Sequence, residues 1–205
     1  FKIDSFDYIA TITKAEVALV AKADAPFEDL AGLVALGKTK KPAIAFDAGT
    51  QQMLMSAVMK KAGIEFKFVK HKSGAEQIQS ILGGHVDAGC PAGAHIKYLE
   101  SGDLKMIAAF GKDRFSYAPK AKTLIESGYN YYVDPFYYLA APKGLPADVK
   151  AALAEIFDKA INSEKVKTAL ANTLKAKPYN IGPEGTYKML SEGVPAVKQL
   201  LKALK

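Results

Sequence analysis

The chain has 205 residues, of which 49% are hydrophobic and 24% charged, and its mean hydropathy is -0.00. That balance suits a folded globular chain of one domain or two small ones, and no apolar run reaches the roughly 18 residues a membrane-spanning helix needs. The net charge is +7 with a pI near 9.2, yet the lysines lie as singles and pairs such as Lys40-Lys41 and Lys60-Lys61. Without a basic run interleaved with stacking aromatics, nucleic-acid binding is not expected.

In chain order, Phe1 to Thr13 shows neither a helix cap nor clear alternation, so no element is predicted there. Glu16–Ala21 reads as a short strand. Pro26-Phe27-Glu28-Asp29 opens a helix, with proline in its first turn and acids at the positive end of its dipole, closed by Gly37. Ala43–Phe46 is a buried strand, followed by a turn and a helix over Thr50–Ala62 that stops at Gly63. Phe66–Val69 alternates as a strand; Ser73-Gly74 introduces a helix carrying Ala75, Ile78, Ile81 and Leu82, and Gly83-Gly84 ends it. Short strands at Val86–Gly89, Met106–Phe110 and Tyr137–Ala141 follow, with a helix near Ala94–Glu100 between the first two. Pro146–Ala160 is an amphipathic helix through Val149, Ala152, Leu153, Ile156, Phe157 and Ala160, and Val194–Leu204 repeats the pattern. Strands alternating with helices predict an α/β fold around a largely parallel sheet, with Pro26 and Pro142 as candidate hinges.

Ligands of open α/β sheets collect where strands end and helices begin. Two loops have the chemistry for an anion. Ala48-Gly49-Thr50-Gln51-Gln52 combines small residues, a hydroxyl and neutral donors with the free N–H groups of a helix start. Its plain alternative is a strand–turn–cap. Lys72-Ser73-Gly74, preceded by Lys70 and His71, sets a hydroxyl and two ammonium groups before the next helix; its alternative is Ser73 capping while the lysines face water. Cys90 is the sole cysteine, so it forms no intrachain disulfide and no cysteine metal site, and a small buried or pocket-lining role outweighs a nucleophilic one. Asp87 lacks a partner acid for general acid–base work. His71, His85 and His95 have no metal-ligand spacing, and neither a phosphate-binding GxxxxGK[ST] loop nor a GxSxG elbow occurs. No catalytic activity, metal or cofactor is therefore expected.

Pro26–Leu30, Ala43–Thr50, Gly63-Ile64, His71–Ala75 and Leu82–Asp87 occur in that order. They are followed by Ser101–Lys105, Gly111–Arg114, Ala141–Pro146 and Gly182–Glu184. Together they resemble the substrate-binding receptors of tripartite tricarboxylate transporters, the group containing the Bordetella uptake proteins. The resemblance implies a type II periplasmic-binding-protein-like fold, here with one complete α/β domain and part of a second. It assigns residues 1–20 to a remnant of domain 1, 21–137 to domain 2, and 138–205 to the C-terminal part of domain 1. It further implies a non-catalytic periplasmic protein, its signal peptide removed, that hands a small carboxylate to membrane permease subunits. It matches Ala48, Gly49 and Thr50, the Lys72, Ser73 and Gly74 loop, and Phe136 to the ligand cleft; with Gln51, Gln52 and Cys90 from the loop chemistry, these are the expected ligand residues. The alternative from a different class is the ligand-sensing effector domain of a transcription regulator.

The chain departs from the family pattern in three places. Roughly a hundred residues that the resemblance places before Phe1, with the first domain's ligand loop, have no counterpart in this sequence. Met53 stands where a histidine is common, and Gly89-Cys90-Pro91-Ala92 lacks an aspartate. The incomplete first domain leads to an expectation of self-association, because missing strands leave a sheet edge and apolar surface open.

Overall fold

The computed structural model describes residues 2–205. After a 3-10 turn at Ile3–Ser5, its elements run β1 (Phe6–Lys14), β2 (Ala18–Lys22), α1 (Leu30–Gly37), β3 (Ala43–Phe46), α2 (Gly49–Ala62), β4 (Lys67–Lys70) and α3 (Gly74–Leu82). They continue as β5 (Ala88–Gly89), α4 (Ile96–Glu100), β6 (Leu104–Ala109), β7 (Phe136–Pro142), α5 (Ala147–Ile161), α6 (Glu164–Leu174) and α7 (Gly182–Leu204). The chain forms two units. One takes the chain up to Ala15 with Pro135–Pro195, and the other takes Glu16–Asp134 with Ala196–Lys205.

The larger unit is built on a five-stranded sheet ordered β4-β3-β5-β2-β6. Its two faces are both covered. Val17, Leu19 and Ala21 join a cluster with Leu30, Leu33, Leu54 and Val58 of α1 and α2, whereas Ala18 and Val20 join Ile78 and Ile81 of α3. Burial on both faces explains why β2 reads as a continuous apolar run instead of an alternation. The sheet is mixed: β3 is parallel to β4 and β5, but β2 is antiparallel to β5 and β6. The expected largely parallel sheet is thus only half correct, because β2 and β6 enter from the opposite direction. Its outer strands are protected. β4 begins and ends on the exposed residues Lys67 and Lys70, and the Lys122–Leu124 segment bonds the far side of β6 through Ala109. Both devices discourage further strand pairing.

Helix α1 starts later than Pro26 suggested, because Asp29 caps it by accepting the Gly32 N–H at 2.9 Å. Helix α2 ends as expected on Gly63, whose φ of 65° lies in the left-handed region that a residue with a Cβ resists.

The smaller unit contains the antiparallel pair β1–β7, with irregular register at Tyr8/Ala10 and Thr11/Thr13. The other side of β1 is lined by residues 177–180, where the Tyr179 N–H donates to Ile12 O at 2.9 Å. Its apolar core is small: Ile9, Ala10 and Ile161, with Leu139, Leu153 and Phe157 packed against them. Strand β1 escaped the sequence reading because its polar residues are buried too. Thr11 Oγ1 lies 2.7 Å from Thr186 Oγ1, Thr13 donates to Lys177 O at 2.8 Å, and Asp7 accepts the Gly144 and Leu145 N–H groups at 2.7 and 3.0 Å. A buried polar group with a partner costs little, so the alternation that marks a half-buried strand is absent.

The unit boundaries differ from those read in the sequence. Residues 16–20 belong with the larger unit because β2 pairs in its sheet, and residues 135–137 belong with the smaller one because β7 starts at Phe136. The last ten residues also join the larger unit, where Leu200 is buried in its main cluster. Neither Pro26 nor Pro142 marks a boundary; Pro195, inside α7, does.

Candidate functional site

Three parallel strands of the larger unit, β3, β4 and β5, end at one edge of the sheet in the register Phe46↔Lys70 and Ala45↔Gly89. Their exits are the loops at 47–48, 71–73 and 90–94, the first two leading into α2 and α3. The His71 N–H donates to Phe46 O at 2.8 Å and the Cys90 N–H to Ala45 O at 3.1 Å, which tie the exits together. A Cβ added to Gly74 would lie 3.4 Å from Pro91 Cβ and 3.5 Å from Ala94 Cβ, so α3 begins directly against the third loop.

At the α2 start, Ala48, Gly49 and Thr50 are exposed. The Gln51 N–H turns back to Ala48 O at 3.1 Å, and no acceptor among the described residues takes the N–H groups of Gly49 or Thr50. Two such donors at the positive end of a 14-residue helix have the chemistry to bind an anion. Gln51 serves the turn itself: it is buried, and its Oε1 accepts from the Asp47 and Ala48 N–H groups at 2.9 and 3.2 Å. Gln52 is half-buried on the first turn.

The α3 start is chemically different. Ser73 caps it, accepting the Glu76 N–H at 3.3 Å, and the Glu76 carboxylate accepts the Lys72 N–H at 2.9 Å. Helix α3 therefore already has a carboxylate of its own at its positive end, and Lys72 is exposed in the loop before it. Asp87 is likewise structural, since its oxygens hold the Lys40 ammonium at 2.9 Å and the Ala43 N–H at 2.7 Å.

Cys90, expected to line the ligand, is 0% exposed and sits in the main apolar cluster. Burial, and secondarily the Asp47 charge, pushes its thiol far above the ordinary range. Phe136 lies in the other unit, on β7, where it stacks on Tyr179 at 6.1 Å beneath the Lys14 ammonium. Of the ten expected residues, Ala48, Gly49, Thr50, Gln52, Lys72, Ser73 and Gly74 share the sheet edge with surface to offer.

Sequence reasoning gave no site role to two residues behind this edge. Gln77 is fully buried; its Oε1 accepts the Cys90 N–H at 2.8 Å, and its Nε2 has no hydrogen-bond partner among the described residues. The Cys90 N–H fixes which way the amide faces, because only the oxygen can accept. The available signal was a glutamine beside Ile78 on the inward face of an amphipathic helix. The second is His95, also 0% exposed, with Nε2 2.9 Å from Tyr117 Oη. Its Nδ1 faces the Pro91 carbonyl without a well-formed hydrogen bond. Burial lowers its pKa to about 4, a shift the Pro91 carbonyl partly opposes, so the ring is neutral at pH 7. Among the described residues no cluster of histidine, cysteine and acidic side chains forms a metal site, and no helix is long and apolar enough to cross a membrane.

The architecture is that of type II periplasmic-binding proteins, with one complete α/β domain and part of a second. MatC from Rhodopseudomonas palustris, solved with bound malate, superposes with a TM-score of 0.82 at 20% identity, over 100% of this chain and 72% of its own. An R. palustris protein solved with adipate gives 0.80 at 16% identity, over 98% and 69%. The whole chain, residues 1–205, matches the tripartite tricarboxylate transporter family receptor, and it belongs to that family. In sequence it is 25% identical over 206 residues to a Cupriavidus necator protein, "UPF0065 protein in gbd 5'region". It is 24% identical over 192 residues to BugT of Bordetella pertussis. The alignments cover 98% and 91% of this chain but 63% and 59% of those relatives, so it spans about three fifths of their length.

Proposed function

We propose that the chain is a non-catalytic solute-binding receptor that captures a small carboxylate-bearing solute in the periplasm and delivers it to the permease of a tripartite transporter. The observation that carries this reading is the α2 start, where the exposed Gly49 and Thr50 N–H groups have no acceptor among the described residues and Thr50 adds its hydroxyl. A carboxylate oxygen there meets charge-assisted hydrogen bonds without deprotonating anything. Lys72 adds long-range attraction, while Ser73 and Gly74 shape the neighbouring wall. Gln51 and Cys90 act from behind by holding the two loops. Malate and adipate, named with the two structural neighbours, are both dicarboxylates, which supports the ligand class.

The test is a thermal-shift and calorimetric titration of the chain with malate, adipate and mono- and tricarboxylates. A ligand that binds only the folded state raises Tm by mass action. Thr50→Asp supplies the α2 start with its own carboxylate. This variant is expected to melt higher without ligand, by helix-dipole complementarity, and to lose the carboxylate-dependent shift. A wild-type chain that no carboxylate shifts, or a shift that survives in Thr50→Asp, removes the reading.

A further inference from the structure

The first exit loop of the larger unit carries a charge that its own surroundings leave unmet. Asp47, between β3 and the α2 start, is half-buried, and among the described residues its carboxylate has neither a hydrogen-bond donor nor an ion-pair partner. The other acids near this edge are engaged: Glu76 takes the Lys72 N–H, and Asp87 takes the Lys40 ammonium and the Ala43 N–H. The place of Asp47 is fixed. The buried Gln51 accepts the Asp47 and Ala48 N–H groups at 2.9 and 3.2 Å, which locks the residue directly before the free Gly49 and Thr50 N–H groups. The Asp47 charge is also felt at the Cys90 thiol, so the carboxylate is near the third exit loop. Behind that loop the fully buried Gln77 Nε2 lacks an acceptor among the described residues. Unmet donors and an unmet acceptor thus occur together at one end of the sheet.

Building on the carboxylate-receptor reading above, we propose that the solute also carries an ammonium group, as an α-amino acid does, and that Asp47 selects for it. A carboxylate that settles on the α2 start comes to lie beside a second carboxylate, and like charges in a partly desolvated site repel. An ammonium on the neighbouring carbon of the ligand turns that repulsion into a charge-assisted hydrogen bond to Asp47. In an α-amino acid the carboxylate and the ammonium share one carbon, and here the α2 N–H groups and Asp47 share one turn. A single zwitterionic end therefore meets both. A hydrogen or a hydroxyl at the same carbon leaves the Asp47 charge unanswered. Asp47 is a specificity-determining residue in this arrangement, acting as much by penalising ligands that bring only negative charge as by attracting those that bring both.

Calorimetric titration with two matched sets tests this: succinate, malate and aspartate, and propionate, lactate and alanine. Within each set the skeleton is constant and one carbon carries hydrogen, hydroxyl or ammonium. The wild type is expected to bind the amino acid of at least one set roughly tenfold or more tightly than its two counterparts. Asp47→Asn keeps the shape and removes the charge. It is expected to weaken that amino acid by a similar factor and to tighten the counterparts. Circular dichroism checks that the variant folds, and the wild-type comparison decides the matter alone if it does not. The inference fails, with the receptor reading intact, if succinate, malate, propionate or lactate binds as tightly as the matching amino acid, or if Asp47→Asn shifts a whole set alike. A chain that binds no member of either set overturns both.

Discussion

His95 is buried behind the site edge, since it follows the Cys90–Ala94 loop and is held by Tyr117. Its folded pKa, about 4, lies below the ordinary 6.5. The unfolded chain therefore takes up this proton first, so the stability contributed by the neutral ring is complete above pH 6.5 and is lost as pH falls toward 4. That loss is on the order of 3 kcal/mol. Urea titrations at stepped pH are expected to show it, and His95→Gln to flatten the slope in that window. Asp7 acts at lower pH. The Gly144 and Leu145 N–H groups, then the Lys143 ammonium, lower its pKa from 3.8 to about 2. Its contribution holds above pH 3.8 and disappears as pH falls through 2, and Asp7→Asn should lower Tm at neutral pH. Cys90 gives a third readout: a buried, protonated thiol should react with a disulfide reagent only at the rate at which the larger unit opens. Gln77 shows how far the residue scale was legible. Its composition and helical position were readable, but its role in holding the Cys90 N–H follows from α3 packing over β5. A Cβ on Gly89 would lie 2.9 Å from Ile81 Cδ1 and 3.1 Å from Ala45 Cβ, so any larger residue there would require these buried neighbours to shift.

At the scale of elements, caps and stops were the most readable features. Ser73 before α3 and Gly63 after α2 are local signals, since each acts through its own helix's unpaired backbone groups. Ser73→Ala is expected to cost about 1 kcal/mol in chemical denaturation. Helix α6 ends less favourably, on Lys175 at φ 50°, a left-handed position better suited to glycine. Lys175→Gly should stabilise the smaller unit by roughly 0.5–1 kcal/mol, measurable as a higher denaturation midpoint. The elements that were not legible have tertiary causes. Strand β1 buries Asp7, Thr11 and Thr13 because partners far along the chain satisfy them. Helix α7 begins at Gly182, well before the expected Val194, and continues through Pro195, although a proline there lacks the N–H for one helical hydrogen bond and crowds the carbonyl of the preceding turn.

For the whole molecule, the two units differ in how much apolar surface they bury. The larger has helices on both faces of a five-stranded sheet, whereas the smaller has a two-stranded sheet with a small core and exposed Tyr137, Tyr138, Val149 and Ile156. Small cores leave little margin over conformational entropy. Hydrogen-exchange measurements should therefore find β1, β7 and α5 exchanging through a lower-energy opening than β2, β3 and β6, and unfolding that departs from two states. The sequence by itself determined the α/β class, most strands and helices, the helix caps, and the family, because these rest on local periodicity and on ordered motifs. The ends of the units, the mixed strand directions and the division of labour within the site required tertiary structure. Those features depend on which groups meet: Glu76, accepting the Lys72 N–H, already sets a carboxylate at the start of α3, whereas among the described residues nothing accepts the Gly49 and Thr50 N–H groups at the start of α2.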